Sequence, residues 1–355
     1  MNSSIIVHSK PFIPDGTLKV IDGVLKSGML AQGEFARHLE SSLAIWAGAN
    51  DGVAVSSGSA AIYLALKALG VNLGDEVILP TYVCRSVLDA VIASGATPVL
   101  CDVSVDWILI TDNVDQYINR KTKAIIVPHM YGIFADIDSF KRFNIPVIED
   151  CAQAIGGKGS FQIKGDIAVL SFHPTKCLTT GEGGMALSSD EKIIRKMRLL
   201  RDGPEGRELF APLSDINSAI GVVQMRNYSD FLYKREKIAK GYMEIVRRLI
   251  PGSLRDVVLT RSMFFRFPLY VKGRYEECKT LFADYQINVR NGVDLLLHRT
   301  LCEADDKFPN AVDLIKSTVL IPLYPALTEE EYERIVKAMN EIFGSRLKEA
   351  IQTKT

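Results

Sequence analysis

The sequence predicts an α/β fold with a mainly parallel central sheet in a large domain and a smaller C-terminal α+β domain. Three features of its 355 residues agree on this: short β-branched apolar runs recur from about residue 52 to 189, helical patterns separate them, and polar residues stand where several runs end. Apolar strands joined by helices are typical of a parallel sheet covered on both faces. Ligands bind beyond the carboxyl ends of such strands.

Seven short runs are predicted as strands of this sheet, at residues 53–55, 77–79, 98–100, 124–127, 146–148, 168–172 and 185–187. A long helical stretch is expected at 214–249, broken by Pro251-Gly252. A strand at 263–271 and helices near 275–285 and 329–343 then predict the smaller unit. We place the large domain at 1–240 and the small domain at 241–355, with the boundary in the region 235–252.

Composition limits the class of protein. A chain of this length with 47% hydrophobic residues suggests two domains. Lysine plus arginine and aspartate plus glutamate number 42 each, so no net charge directs the chain to nucleic acid or an anionic membrane. The six cysteines form no CxxC pair, which favours a reducing compartment, and no metal site is predicted. No signal peptide or run of ~18 apolar residues is present, so we expect a cytoplasmic protein.

Lys176 is the most informative residue of the chain. It lies among small and glycine residues, before Gly181-Glu182-Gly183-Gly184, whereas Asp150 ends an earlier strand. Such a lysine can approach a flat cofactor, and such an aspartate can hold a protonated ring nitrogen, as pyridoxal phosphate chemistry requires. Each residue alone has an ordinary interpretation, because most lysines are solvated and strand-end aspartates often cap turns. Their occurrence together, in this order, favours the cofactor.

A third feature precedes them. The segment 56–61, Ser-Ser-Gly-Ser-Ala-Ala, follows a strand and opens a helix whose apolar residues include Ile62, Leu66 and Leu69. Glycine permits close backbone approach, and the free N–H groups of a first helical turn bind anions, which predicts a phosphate site. Taken alone, the segment also fits a capped helix start without a ligand.

With these motifs the chain resembles the DegT/DnrJ/EryC1/StrS family of pyridoxal-phosphate sugar aminotransferases, within the fold-type-I, aspartate-aminotransferase-like class. The similarity runs nearly end to end. Its motifs are Ser57-Gly58-Ser59-Ala60-Ala61, Gly74-Asp75-Glu76-Val77-Ile78-Leu79-Pro80, Gly95-Ala96-Thr97-Pro98-Val99, His129-Met130-Tyr131-Gly132, Val147-Ile148-Glu149-Asp150, Ser171-Phe172-His173-Pro174-Thr175-Lys176, Gly181-Glu182-Gly183-Gly184 and Ile321-Pro322-Leu323-Tyr324-Pro325.

The resemblance implies a role for each matching residue. Lys176 would bind the cofactor as a Schiff base and move the proton between substrate and cofactor. Asp150 would pair with the pyridine nitrogen and Gln153 with the ring's 3-oxygen. The Gly58-Ser59 backbone and Ser171 would hold the phosphate. Ala152 could pack its methyl group on the ring. His129 and His173 fit a packed structural role as well as a substrate contact.

The chain departs from the family pattern at two places. Cys84 stands where relatives carry an aromatic residue that stacks on the cofactor, and Tyr82 nearby is expected to point elsewhere. Phe210-Ala211-Pro212 replaces an Asn-Tyr-Arg element whose asparagine reaches the phosphate in the neighbouring subunit. The ring's stacking partner and the cross-subunit contact are therefore open.

The function implied by the resemblance is ping-pong transfer of an amino group. An amino acid, with glutamate as the expected donor, would load the cofactor, which would then aminate a keto group of a nucleotide-linked sugar. A homodimer with active sites at its interface is expected. Two alternatives are a pyridoxamine-phosphate sugar dehydratase, whose branch typically replaces the lysine, and a family member that binds cofactor or partner without turnover.

Overall fold

A seven-stranded sheet forms the centre of the computed structural model, which describes residues 4–156, 162–203 and 211–347. Its strands are β1 (Asp51–Val55), β2 (Glu76–Pro80), β3 (Thr97–Cys101), β4 (Thr122–Pro128), β5 (Val147–Asp150), β6 (Ile167–Ser171) and β7 (Gly184–Ser188). Two further strands, β8 (Phe267–Tyr270) and β9 (Thr318–Ile321), form a separate antiparallel sheet.

Helices surround both sheets. They are α1 (Thr17–Ser27), α2 (Glu34–Ala47), α3 (Gly58–Ala68), α4 (Arg85–Ala93), α5 (Thr111–Val114), α6 (Ile137–Phe140), α7 (Glu191–Asp202), α8 (Asp215–Arg226), α9 (Tyr228–Leu249), α10 (Asp256–Arg261), α11 (Tyr275–Ala283), α12 (Leu297–Thr300), α13 (Pro309–Ser317) and α14 (Glu329–Glu341).

The large sheet has the strand order β1-β7-β6-β5-β4-β2-β3. All its pairings are parallel except those of β7, which runs antiparallel to β1 and to β6. Alternate side chains of β1 enter two different apolar cores, Val53 and Val55 on one face and Ala54 on the other. The α/β class, the mainly parallel sheet and its seven predicted strands are thereby confirmed.

The reversed direction of β7 decides what lies at the functional edge of the sheet. Gly184, its first residue, pairs with both Val55 and Ser171, the last residues of β1 and β6. The start of one strand thus lies between the ends of two others. Helix α3 begins three residues after β1, so its N-terminus is delivered to the same edge.

Two predicted elements differ from the structure. The stretch 214–249 is two helices, α8 and α9, which meet at Asn227. Of the strand predicted at 263–271, only the second half is extended, because Phe264 has a positive φ of 58° and turns the chain before β8. Helix α9 passes residue 240 without a break, and the division at 240/241 stays a prediction.

The helices contain no candidate for a membrane span. Within the described parts of the chain, none is both long enough and apolar enough to cross a bilayer.

Candidate active site

A cradle for an anion forms where α3 begins. The Ser57 hydroxyl caps the helix by accepting a hydrogen bond from the Ala60 backbone N–H at 3.1 Å. A Cβ atom at Gly58 would lie 2.9 Å from the Ser171 Cβ, and one at Gly184 would lie 2.6 Å from the Gly58 nitrogen. These two glycines therefore let the first helical turn lie against Ser171. The backbone N–H groups of Gly58 and Ser59 have no partner within the described parts of the chain, and they suit a phosphate.

Asp150 ends β5 as a buried carboxylate with few partners. Within the described residues, its side chain accepts one hydrogen bond, from the Ala152 backbone N–H at 3.0 Å. Burial raises the pKa of Asp150, although that hydrogen bond and the charge of Lys176 oppose the change. A protonated ring nitrogen would supply the donor and the positive charge that this carboxylate lacks.

Lys176 lies half-buried beyond the end of β6. Burial lowers the pKa of its amine, while the carboxylate of Asp150 acts in the opposite direction. Its Nζ atom lies 5.9 Å from the centroid of the Phe265 ring. A lowered pKa increases the fraction of neutral amine, the form that attacks a carbonyl carbon.

A cavity of about 280 Å³ contains this lysine together with Gln153 and Cys84. The Gln153 side-chain oxygen accepts a hydrogen bond from the Tyr131 backbone N–H at 2.8 Å, which orients the amide. Cys84 is exposed at the N-terminus of α4. Tyr82 is fully buried, and its hydroxyl lies 3.0 Å from that of Tyr131. Tyr82 is not among the residues that line the cavity, although its partner Tyr131 is.

The two histidines at strand ends have ordinary surroundings. His129 is buried, its Nε2 lies 3.0 Å from the Glu149 carboxylate, and its Nδ1 accepts a hydrogen bond from the Ala135 N–H at 3.0 Å. His129, Glu149 and Cys151 lie close enough together to suggest a metal site. Both imidazole nitrogens of His129 already have hydrogen-bond partners, so we interpret the group as structural. His173 is exposed, with Nδ1 2.9 Å from the Thr175 hydroxyl.

Three basic residues that the sequence analysis missed also line the cavity: His8, Arg266 and Arg290. His8 comes from the N-terminal segment, Arg266 directly precedes β8, and Arg290 forms a bridge with Leu320 of β9. All three are far from Lys176 in sequence. Of the three, Arg266 could have been identified from the sequence, because it is a charged residue inside the apolar run 263–271.

The second departure from the family pattern lies partly outside the described residues, since Phe210 is among those not described. The two residues after it are placed: the Ser56 N–H donates to the Ala211 carbonyl at 2.7 Å, and Pro212 forms a bridge with Val55. The chain therefore enters α8 from beside the cradle.

The residues at this edge fit pyridoxal phosphate. Glycine-lined helix N–H groups suit the phosphate, Asp150 with its single hydrogen bond suits the ring nitrogen, and the lowered pKa of Lys176 favours the amine that attacks a carbonyl carbon. A mainly parallel sheet with these groups at its carboxyl edge defines a fold-type-I pyridoxal-phosphate transferase. The family model for the DegT/DnrJ/EryC1/StrS aminotransferase family matches residues 13–340, and the chain belongs to this family of pyridoxal-phosphate enzymes.

Several known proteins are similar to the chain. GDP-perosamine synthase of Escherichia coli O157:H7 is 32% identical over 318 residues, covering 82% of this chain and 85% of that protein. The spore coat polysaccharide biosynthesis protein SpsC of Bacillus subtilis (strain 168) is 28% identical over 375 residues, covering 94% and 96%. The structure of NtdA from Bacillus subtilis with bound cofactor PMP has a TM-score of 0.84 at 24% identity, covering 97% and 87%, which shows the shared fold.

Proposed function

We propose that this aminotransferase moves an amino group from an amino acid, with glutamate as the donor, to a keto group of a nucleotide-linked sugar. The observation that carries the proposal is the half-buried Lys176, with its lowered pKa, close enough to Asp150 for their charges to interact. The nucleotide-sugar acceptor is supported by the similarity to GDP-perosamine synthase, at 32% identity over most of both chains.

Each residue of the site has a task in this chemistry. When bound, pyridoxal phosphate supplies an electron sink for the carbon that loses a proton. Lys176 would bind the cofactor covalently and then, released as a neutral amine, move a proton from the donor's α-carbon to the cofactor. In the acceptor half-reaction it would move a proton the opposite way, from the cofactor to the carbon that receives the amino group. Its lowered pKa suits both tasks.

The other residues would hold the cofactor in place. The Asp150 carboxylate would keep the ring nitrogen protonated, and its burial makes that ion pair strong because little water screens it. The oriented Gln153 amide would donate its N–H to the 3-oxygen. Ser171 and the start of α3 would fix the phosphate, so that the ring is preorganised before substrate arrives.

The presence of Lys176 separates this proposal from the dehydratase alternative. That branch of the family typically replaces the lysine, whereas here the lysine lies in the cavity with a lowered pKa. A family member without turnover would have no need of a lysine with a lowered pKa at this position.

We also propose that two chains form a homodimer around the active sites. Half of the large hydrophobic side chains that are exposed in the described residues lie between Ile5 and Leu30. Such a concentration of apolar surface is typical of a protein interface. A second subunit would also enclose a sugar nucleotide that the small unit is too small to cover.

The two half-reactions test the function separately. Protein loaded with pyridoxal phosphate is mixed with single amino acids, and protein loaded with pyridoxamine phosphate is mixed with a panel of keto-sugar nucleotides. The visible absorbance of the cofactor reports both. Wild type should lose the visible band with glutamate and regain it with one acceptor. In Lys176→Ala, the rates of both half-reactions should fall by orders of magnitude.

Lys192→Ala is the matched control, since Lys192 is an exposed lysine on α7. It should behave as wild type. A Lys176→Ala variant that transfers amino groups at the wild-type rate would refute the role of this lysine, and wild-type protein inert toward every acceptor would refute the sugar assignment.

A further inference from the structure

Arg266 is a buried cation without a counter-ion. Its side chain is 6% exposed, and within the described residues it forms no ion pair. One guanidinium nitrogen, Nη2, donates to the Thr175 carbonyl at 3.2 Å, but Nη1 is buried without a partner. An unpaired donor on a buried charge is costly, so its retention indicates a missing acceptor.

A second basic side chain in the same cavity is also incomplete. His8 is 7% exposed, and its Nε2 atom is buried without a hydrogen-bond partner among the residues that the structure describes. Burial, followed by the charges of Arg266 and Arg290, lowers the pKa of His8 well below its usual range, so the imidazole is neutral at pH 7. Two buried groups from distant parts of the chain therefore face one cavity with unused hydrogen-bonding capacity.

The charge around Arg266 favours an anion. Arg290 also lines the cavity, but its guanidinium already forms an exposed ion pair with Asp294 at 2.7 Å. Burial, with the charges of Arg235 and Arg290, lowers the pKa of Arg266 to about 9, which leaves the guanidinium protonated at neutral pH. A guanidinium presents paired donors that match a carboxylate or a phosphate.

The position of Arg266 selects between these anions. Its guanidinium carbon lies 4.2 Å from the centroid of the Phe265 ring, the ring that Lys176 also approaches, and it bonds the residue next to that lysine. In an amino acid, the α-carboxylate and the transferred nitrogen are attached to the same carbon. In a sugar nucleotide, the sugar ring separates the diphosphate from the reacting carbon. Closeness to the lysine therefore favours the amino acid.

We propose that Arg266, assisted by His8, binds the α-carboxylate of the amino donor. This inference rests on the proposed aminotransferase function and adds the donor's binding site to it. Arg266 would fix the donor so that its α-carbon faces Lys176, while Nη1 and the His8 nitrogen gain the partners they lack.

The test compares L-glutamate with its α-amide, isoglutamine, in the donor half-reaction of wild type and Arg266→Met. Hydrogen bonds to a charged group predict that wild type prefers glutamate by roughly 10- to 100-fold in kcat/KM. Arg266→Met should lose most of this preference, whereas Arg266→Lys, which keeps the charge, should retain part of it. The donor half-reaction should fall more than the acceptor half-reaction, because the keto-sugar nucleotide has no α-carboxylate for Arg266 to bind.

Arg235→Met is the matched control. Arg235 is also a buried arginine beside Phe265, at 5.8 Å from the ring centroid. Its Nη1 donates to the Phe265 and Leu323 carbonyls, and its Nε, like Nη1 of Arg266, is buried without a partner in the described residues. Unlike Arg266, it does not line the cavity. This variant should lower the melting temperature and keep the preference for glutamate. A preference that survives in Arg266→Met, or a loss confined to the acceptor half-reaction, would overturn the proposal.

A binding measurement separates this site from the proposed function. Calorimetry of 2-oxoglutarate with the cofactor-loaded protein should show roughly 10- to 100-fold weaker binding to Arg266→Met than to wild type. If no amino group is transferred by wild type but this difference is present, the carboxylate site stands and the transfer does not. Equal binding by both proteins refutes the site whatever the activity.

Discussion

At the scale of single residues, the site contains two charged groups, Asp150 and Lys176, whose burial is unfavourable. Burial raises the pKa of Asp150 and lowers that of Lys176, and each charge only partly compensates the other. A charged group that is destabilised in the cofactor-free protein gains the most free energy when a partner of opposite charge binds. For Asp150 this partner would be the protonated ring nitrogen of the cofactor.

This cost gives Asp150→Asn an unusual expected phenotype. A folded-state pKa above the unfolded value means that stability from this group is present below pH 3.8 and is lost as pH rises through the folded pKa. At pH 7, above the unfolded value, burial of this carboxyl therefore costs stability in the cofactor-free protein, and Asp150→Asn should raise its melting temperature. Amino-group transfer should fall roughly 10²- to 10³-fold, because the amide cannot balance a protonated ring nitrogen.

Asp215→Asn provides the control. Asp215 is also buried, but its carboxylate accepts hydrogen bonds from the N–H groups of Gly33, Phe35 and Ala36 at 2.8–3.2 Å. This substitution should lower the melting temperature at the same pH. Equal destabilisation of the two variants would show that folding does not raise the pKa of Asp150.

Cys84 allows a test of where the cofactor ring lies. If the ring is bound beneath this exposed residue, Cys84→Tyr or Cys84→Phe should add a stacking contact worth about 0.5–1.5 kcal/mol, a roughly three- to tenfold slower loss of pyridoxal phosphate. Cofactor release on dilution, followed by absorbance, measures it. Cys302→Tyr, at the other exposed cysteine, should change nothing. Faster release from the Cys84 variants would place the ring elsewhere.

At the scale of secondary-structure elements, the cradle depends on one glycine in β7. A side chain at Gly184 would overlap the backbone of Ser57 and approach the Gly58 nitrogen to 2.6 Å. Because these contacts are with backbone, the start of α3 would have to move away from Ser171. The N-terminus of α3 and the Ser171 hydroxyl would then no longer be close enough to bind the same phosphate.

Gly184→Ala should therefore lose about 1–3 kcal/mol of unfolding free energy from overpacking, together with most of its affinity for the cofactor. Chemical denaturation measures the first effect, and cofactor titration measures the second. Gly252→Ala is the control, because a Cβ atom there would meet nothing within 4 Å. Unchanged cofactor affinity in Gly184→Ala would show that the phosphate does not bind at the start of α3.

At the scale of the whole molecule, the proposed dimer gives a use to the exposed apolar residues near the N-terminus. Leu18 and Leu25 on α1 are 82% and 54% exposed, and their spacing of seven residues puts them on one face of the helix. Single exposed hydrophobics are ordinary, but a helical face of them is costly in water unless it is covered.

Sedimentation at micromolar concentration should show two chains for wild type and one for the double variant Leu18→Lys, Leu25→Lys. Charged residues cannot be buried at an apolar interface without a large desolvation cost. Leu73→Lys, at an isolated side chain that is 92% exposed, should leave the assembly intact. A wild-type monomer with full activity would remove the dimer from the proposal.

Much of this protein was determined by its sequence alone. The β-branched runs predicted seven strands and a parallel sheet, and the order of Gly58, Asp150 and Lys176 predicted the cofactor and the family. These properties are local: a strand shows in the periodicity of a few residues, and a motif in the spacing of neighbours. The strand predicted at 263–271 was half wrong because a turn with positive φ at Phe264 has no such local pattern.

Only the tertiary structure decided what meets at the edge of the sheet. The antiparallel β7 between β1 and β6 puts Gly184 under the start of α3. The same long-range packing brings His8 and Arg266 into the cavity of Lys176. Such contacts join residues far apart in sequence, and they depend on which strand pairs with which and on the space that side chains leave between them. Local periodicity contains no information about either.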